Sequence, residues 1–211
     1  MTVLVFDAPA DRRYETGLDR GVLYPFEGDP VVWNGLTAVT EIRQREVKSY
    51  YIDGVKYLDH YVPGAYSAKI QAFTYPDELE PLMGSAEFAP GVIAYDQRAG
   101  MFHMSYRTIS GDAVNGPDAG YKIHLLYNLI ATPSDTAITT VGSTVTPVTF
   151  EWTLSGVPAQ MFGIRPTSHI SLDSRRIDPT ILQTIEDLIY GTAETDPSMP
   201  DLVDLLAMVE V

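Results

Sequence analysis

Apolar residues recur with period two in several stretches of the chain, the spacing that sends alternate side chains of a strand to opposite faces. In VTFEWTLS, Val148, Phe150, Trp152 and Leu154 fall on one side, while Thr149, Glu151, Thr153 and Ser155 fall on the other. AYSAKIQAFTY sets Tyr66, Ala68, Ile70 and Ala72 against Ser67, Lys69 and Gln71. In YKIHLLYNLIA, Tyr121, Ile123, Leu125, Tyr127 and Leu129 form an apolar row; Lys122, His124, Leu126, Asn128 and Ile130 form a mixed one, so its second face is expected to meet another surface. Further strands are predicted at 21–24, 31–43, 92–95, 103–109 and 169–173, separated by turn-rich pieces such as DAVNGPDAG. The expected fold is mainly β, mostly antiparallel, and most simply a sandwich.

The strongest local signal is SYYIDGVKYL, residues 49–58. Asp53-Gly54 suits the two positive-φ positions of a tight hairpin turn, and apolar residues flank it: Tyr50, Tyr51 and Ile52 before, Val55, Tyr57 and Leu58 after. The hairpin carries no catalytic side chain. The spacing near the end predicts a helix over 179–190, with Asp178 as its cap, Pro179 in its first turn, and Ile181, Leu182, Ile185, Leu188 and Ile189 on one stripe. Gly191 is expected to stop it. Beyond GTAETDPSMP, which reads as a flexible linker, DLVDLLAMVEV is apolar enough to need burial but too short to be helical alone in water. It must dock, on this subunit or on a neighbour.

With 211 residues, 45% of them hydrophobic, the chain can bury a full core as one domain. Its formal net charge of −14 disfavours phosphate-binding surfaces, which need clustered Lys and Arg, and so argues against a sequence-reading DNA binder. The absence of cysteine removes disulfides and thiolate metal sites. The first residues carry no basic region ahead of a short apolar run, and no eighteen-residue apolar stretch occurs, so the chain is expected to be soluble, made in the cytoplasm and not inserted in a membrane.

No Gly-rich phosphate loop, nucleophile elbow or paired-histidine helix is present. His60, His103, His124 and His169 are scattered singly over predicted strands and read as satisfied or exposed strand residues rather than metal ligands. Asp77, Glu78 and Glu80 could supply a pair of catalytic carboxylates, but acids after Pro76 are what opens a short helix or turn. Asp112, Asn115 and Asp118 offer oxygen ligands without the spacing of a calcium loop, and read as a polar connection between strands. Arg12, Arg13, Arg43, Arg45 and Lys48 form a local basic group, either a solvated loop or a contact for acidic surface on another copy, around 77–80 or the acidic tail.

ETGLDRGVLYP, VVWNGLTAVTE, YYIDGVKYL, AFTYPDEL, SYRT, GYKIHLLYN and DPTILQTIEDLIYGT, in that order, resemble the major tail tube proteins of long-tailed, siphovirus-type phages of actinobacteria, over about residues 15 to 197. The resemblance implies a β-sandwich of the kind shared by phage tail tubes and type VI secretion tubes, with one flanking α-helix. It implies an N-terminal arm at 1–14, a tube domain at 15–192, and an acidic linker and docking segment at 193–211. Six subunits would form a ring, each giving strands to an inner β-barrel, and rings would stack into a conduit for genomic DNA. The partners implied are other copies of the chain, a tape measure protein, a tail terminator, and distal tail or baseplate proteins, with double-stranded DNA passing without specific binding. The resemblance brings no enzymatic activity, no catalytic residue, no cofactor and no metal. An acidic inner wall would keep DNA from sticking, since physiological salt limits each charge's reach to about 8 Å. Two other readings stay open: a tail-terminator or head decoration protein, and a carbohydrate-binding sandwich using Trp33, Trp152 and the tyrosines as a platform.

Overall fold

The computed structural model describes residues 8–9, 12–42, 45–140, 147–160 and 165–209. Its body is one antiparallel sheet in the spatial order β2-β1-β9-β10-β11-β6-β3, with β12 also paired to β10. The strands are β1 Arg13–Pro25, β2 Val31–Val32, β3 Leu36–Ile42, β6 Ser67–Ala72, β9 Phe102–Asp112, β10 Gly116–Pro133, β11 Phe150–Gly156 and β12 His169–Asp173. Two small sheets stand apart from it: β4 Arg45–Ile52 with β5 Val55–Pro63, and β7 Ala86–Ala89 with β8 Val92–Ala94. Three helices complete the fold: α1 Leu79–Leu82, α2 Pro179–Tyr190 and α3 Leu202–Val209. Among the described residues no helix is long and apolar enough to cross a membrane.

Both faces of the sheet are apolar, which is why the second row of YKIHLLYNLIA is not polar. The sheet coils until β3 lies beside β1, and the enclosed face packs Leu23, Trp33, Ile70, Phe102, Met104, Leu126, Leu129, Trp152 and Leu154 into an inner core. The approach is close at Gly21, where a β-carbon would fall 2.2 Å from the Leu36 side chain. The other face carries Val22, Tyr24, Ile123, Leu125, Tyr127 and Leu172, and α2 and α3 cover it with Leu182, Ile185, Ile189, Leu202 and Leu205. Thus Leu23 points inward while its neighbours Val22 and Tyr24 point to the helices, as period two requires.

Three sequence expectations change. The predicted strand 31–43 is broken at Trp33–Gly35: Gly35 has φ +80°, and the turn moves the chain from pairing with β1 to pairing with β6. Leu129 leaves the row of Tyr121, Ile123, Leu125 and Tyr127, because Asn128 adopts φ +51° in a bulge and the alternation changes phase. The bulge amide of Asn128 is not lost, since it donates to His103 Nδ1 at 3.1 Å. Finally, 191–200 is not a free tether. Ser198 N–H donates to the Leu188 carbonyl at 2.8 Å, and Tyr127 donates its hydroxyl proton to the Pro200 carbonyl at 3.1 Å.

The helical end behaves as its sequence pattern requires. Asp178 accepts from the Thr180 amide at 2.8 Å, Pro179 opens the first turn, and Gly191 leaves the helix at φ +76°. Tyr24 donates to the Ile189 carbonyl at 2.9 Å, satisfying one of the acceptors that a helix C-terminus leaves open. The apolar segment after Pro200 docks on its own subunit, since Leu202 and Leu205 are buried against the same core as α2.

Candidate assembly surface

The hairpin β4–β5 follows from its turn. Asp53 and Gly54 take φ +52° and +78°, the conformation that matches the twist of the flanking strands, and Ile52 pairs with Val55 directly across it. Pairing continues through Tyr50↔Leu58, Ser49↔Asp59, Lys48↔His60 and Val47↔Tyr61, with a shift that leaves Tyr57 extra. Strands of this length reach about 25 Å. Every residue from 47 to 61 is exposed.

The register sorts these side chains into two faces. Tyr50, Ile52, Val55 and Leu58 share one with Lys48 and His60; Val47, Tyr51 and Tyr61 share the other with Ser49, Lys56 and Asp59. On the second face Ser49 donates across the strands to Asp59 at 2.6 Å, and Lys56 on the same strand pairs with that carboxylate at 2.7 Å. Exposure reaches 63% at Tyr51, 67% at Tyr61, 69% at Tyr57 and 70% at Val55. A two-stranded hairpin is marginal in water by itself, and one with apolar residues on both faces and edges that no other described strand pairs is the kind of surface that monomeric proteins avoid. Chemically it offers backbone hydrogen bonds along its edges and aromatic area on its faces. Its ionisable side chains, among them Lys48, Asp53, Lys56, Asp59 and His60, are all exposed.

The other sequence candidates divide between local structure and one cluster. Asp77, Glu78 and Glu80 belong to the opening of α1, whose Leu79 and Leu82 are buried in the inner core, and Glu80 accepts from Tyr75 at 3.5 Å. Asp112 accepts from the Val114 and Asn115 amides and the Asn115 side chain at 2.8, 2.6 and 2.9 Å, so its oxygens serve the β9–β10 turn. These bonds, the Asn115 amide first, hold its carboxyl below the usual carboxylate range. Arg12 and Arg13 are exposed at the start of β1, with Arg13 opposite Asp112, whereas Lys48 lies on β4; Arg43 lies outside the described residues. Trp33 and Trp152 are buried edge to face with centroids 5.4 Å apart, so they form no sugar platform.

Of the histidines, His60 is exposed on β5, and His103 supports the Asn128 bulge, with burial pushing its pKa down. His124 and His169 come together. His124 Nδ1 lies 3.0 Å from His169 Nε2, and Glu41 Oε1 lies 3.6 Å from the first and 3.5 Å from the second. His124 Nε2 meets Thr108 Oγ1 at 3.0 Å, its ring stacks on Tyr106 at 4.5 Å, and Tyr106 donates to Glu41 at 2.9 Å. Burial, and then the neighbouring His169, push the His124 pKa down to about 4, so its ring is neutral at physiological pH. The sequence separates these three residues widely, and only the coil of the sheet unites them: Glu41 follows Val39 on the inner side of β3, and His124 precedes Leu126 on the inner side of β10.

No family model matches the chain, and no curated protein matches it. Among solved structures it is similar to a chain of the sheath–tube complex of an extracellular contractile injection system, PVC, in its extended state, at 10% identity and TM-score 0.39, covering 73% of this chain and 88% of that one. It is similar to the sheath/tube terminator of the PVC system at 11% identity and TM-score 0.36, covering 81% of this chain and 99% of that one. A chain of the anti-feeding prophage baseplate is similar at 10% identity and TM-score 0.31, with 80% and 97% covered. Likeness at these values is too remote to carry a function.

Proposed function

We propose that this chain is a non-catalytic, self-assembling subunit of a phage tail tube, and that β4–β5 is the element by which it binds other copies of itself. The observation that carries this reading is the hairpin, exposed from 47 to 61 with apolar residues on both faces. Docking against a neighbour would bury those faces and give partners to the hairpin edges, so the association that removes apolar area from water also completes the backbone pairing. The sequence resemblance to tail tube proteins supplies the geometry of the product: six-membered rings, stacked, around a channel through which DNA leaves the virion. In this reading the body at 15–192 bears the assembly surface, and 193–211 closes the outer core. The tape measure, terminator and distal tail proteins meet the assembled tube in the virion tail, which is built from subunits made in the host cytoplasm. The net charge of −14 recurs in every copy, so apolar contact and strand pairing must outweigh repulsion.

Negative-stain electron microscopy of concentrated, purified protein tests the proposal. Long hollow tubes are expected. Isolated rings at every concentration would overturn the tube in favour of a terminator, and dispersed monomers would overturn self-assembly.

A further inference from the structure

We propose that Glu41, His124 and His169 bind a divalent transition-metal ion of the zinc class, and that the ion ties together the strands beneath the hairpin. The three atoms that face one another, His124 Nδ1, His169 Nε2 and Glu41 Oε1, form a triangle with sides of 3.0, 3.5 and 3.6 Å. A point equidistant from all three lies about 2.0 Å from each, the length of a zinc–nitrogen or zinc–carboxylate bond. Two imidazoles and one carboxylate set around an ion at that distance leave a position for solvent, a common donor set for such metals.

The surroundings are those of metal ligands. A ligating imidazole ordinarily donates its other N–H to a neighbouring acceptor, and His124 Nε2 is placed to do so to Thr108 Oγ1 at 3.0 Å. The carboxylate is oriented by the Tyr106 hydroxyl at 2.9 Å. Both rings are fixed by aromatic contact, His124 on Tyr106 with planes 5° apart and His169 beside Tyr66 at 5.1 Å. The side chains of Glu41, His124 and His169 are 17%, 10% and 18% exposed, enough for an ion to enter and little enough for its ligands to stay ordered. On binding, the proton shared across the 3.0 Å contact between His124 Nδ1 and His169 Nε2 moves to an outer ring nitrogen or to solvent, so both ligating nitrogens face the ion unprotonated and no redox step is involved.

The position gives the ion a mechanical role. Glu41 lies on β3 just before the hairpin, Tyr66 lies just after it, and His124 and His169 lie on β10 and β12. A bound ion would join β3, which pairs with β6, to two strands it does not pair with, at the seam where β12 and β11 share the edge of β10. It would fix the root of the hairpin whether or not the chain forms tubes, so this proposal stands or falls separately from the assembly reading.

The test uses untagged full-length protein, stripped with chelator and titrated with Zn²⁺ by calorimetry and with Co²⁺ by visible absorption. Expected are saturation at a single ion per chain, intense Co²⁺ bands of low coordination number, and no displacement by excess Mg²⁺. His124→Ala and His169→Ala should each weaken Zn²⁺ binding roughly 100-fold or more, and Glu41→Gln, which still accepts from Tyr106, at least about tenfold. His60→Ala, at a histidine outside the cluster, should leave Zn²⁺ affinity unchanged. Absence of Zn²⁺ and Co²⁺ uptake by the parent at micromolar concentration would overturn the proposal. So would folded Ala variants that bind as the parent does. If those variants fail to fold, the parent's Co²⁺ spectrum and the Glu41→Gln affinity decide the matter.

Discussion

Tyr51→Ala removes one aromatic ring from the hairpin and, by the structure, from nothing else. Tyr51 pairs across the strands with Lys56 and is 63% exposed, so the ring supports no core contact in the free subunit. An aromatic side chain presents roughly 200 Å² in the unfolded chain, which leaves about 130 Å² for a neighbour to cover. At about 25 cal/mol per Å² that is about 3 kcal/mol, and about 2 kcal/mol remains once the hydroxyl and the β-carbon kept by Ala are discounted. A weakening of that size raises the concentration at which polymer first appears about 30-fold, because every 1.4 kcal/mol is about tenfold. Light scattering across a dilution series, with pelleting to quantify free subunit, reads this threshold directly. The thermal midpoint of unassembled protein should stay within the small range typical of surface substitutions, about 0.5 kcal/mol. An unchanged threshold in a folded variant would show that the hairpin face bearing Tyr51 is not an interface, and a matching loss of monomer stability would show that the ring serves the fold instead.

Two further outcomes follow from the outer core. Leu205→Ala empties a site that is 2% exposed beneath α3, and should lower unfolding stability by about 2–5 kcal/mol in a urea titration; a loss under about 0.5 kcal/mol would mean that α3 is not part of the cooperative unit. Tyr24 and Tyr127 are held above the ordinary phenol value of 10.0, chiefly by burial, which favours the neutral form in the folded state. Their contribution to stability is therefore complete below about pH 10 and is lost as pH rises through the higher folded values. Tyrosinate absorbance should develop in two stages, the second coinciding with alkaline unfolding, whereas a single smooth titration of all 13 tyrosines in folded protein would contradict this burial.

Local chemistry made part of the fold legible in advance. The Asp53-Gly54 turn and the Asp178-Pro179 helix start depend on side chains within a few residues of one another, so the sequence shows them directly. VTFEWTLS was legible because burial on one face leaves a period-two trace, and Trp152 and Leu154 are buried. The break at Trp33–Gly35 carried its own signal in Asn34-Gly35, but the flanking apolar runs masked it. The bulge at Asn128 could not be read, because its extra amide is satisfied by His103, 25 positions away in sequence. The same holds for the cluster of Glu41, His124 and His169: none has a ligand-like spacing to another, and their meeting depends on how far the sheet coils. The hairpin was visible as a hairpin, but only the structure shows that no other strand of the described chain pairs with it.

The central claim is that β4–β5 is completed by other copies of the chain. Hydrogen–deuterium exchange of the backbone amides across 47–61, compared between dilute subunit and assembled material, tests it most directly. Edge amides that point to solvent in the free hairpin should gain protection of roughly 100-fold or more on assembly, with the inner core of β9 and β10 slow in both states. Assembled material in which 47–61 exchanges as fast as in the free subunit would contradict the account.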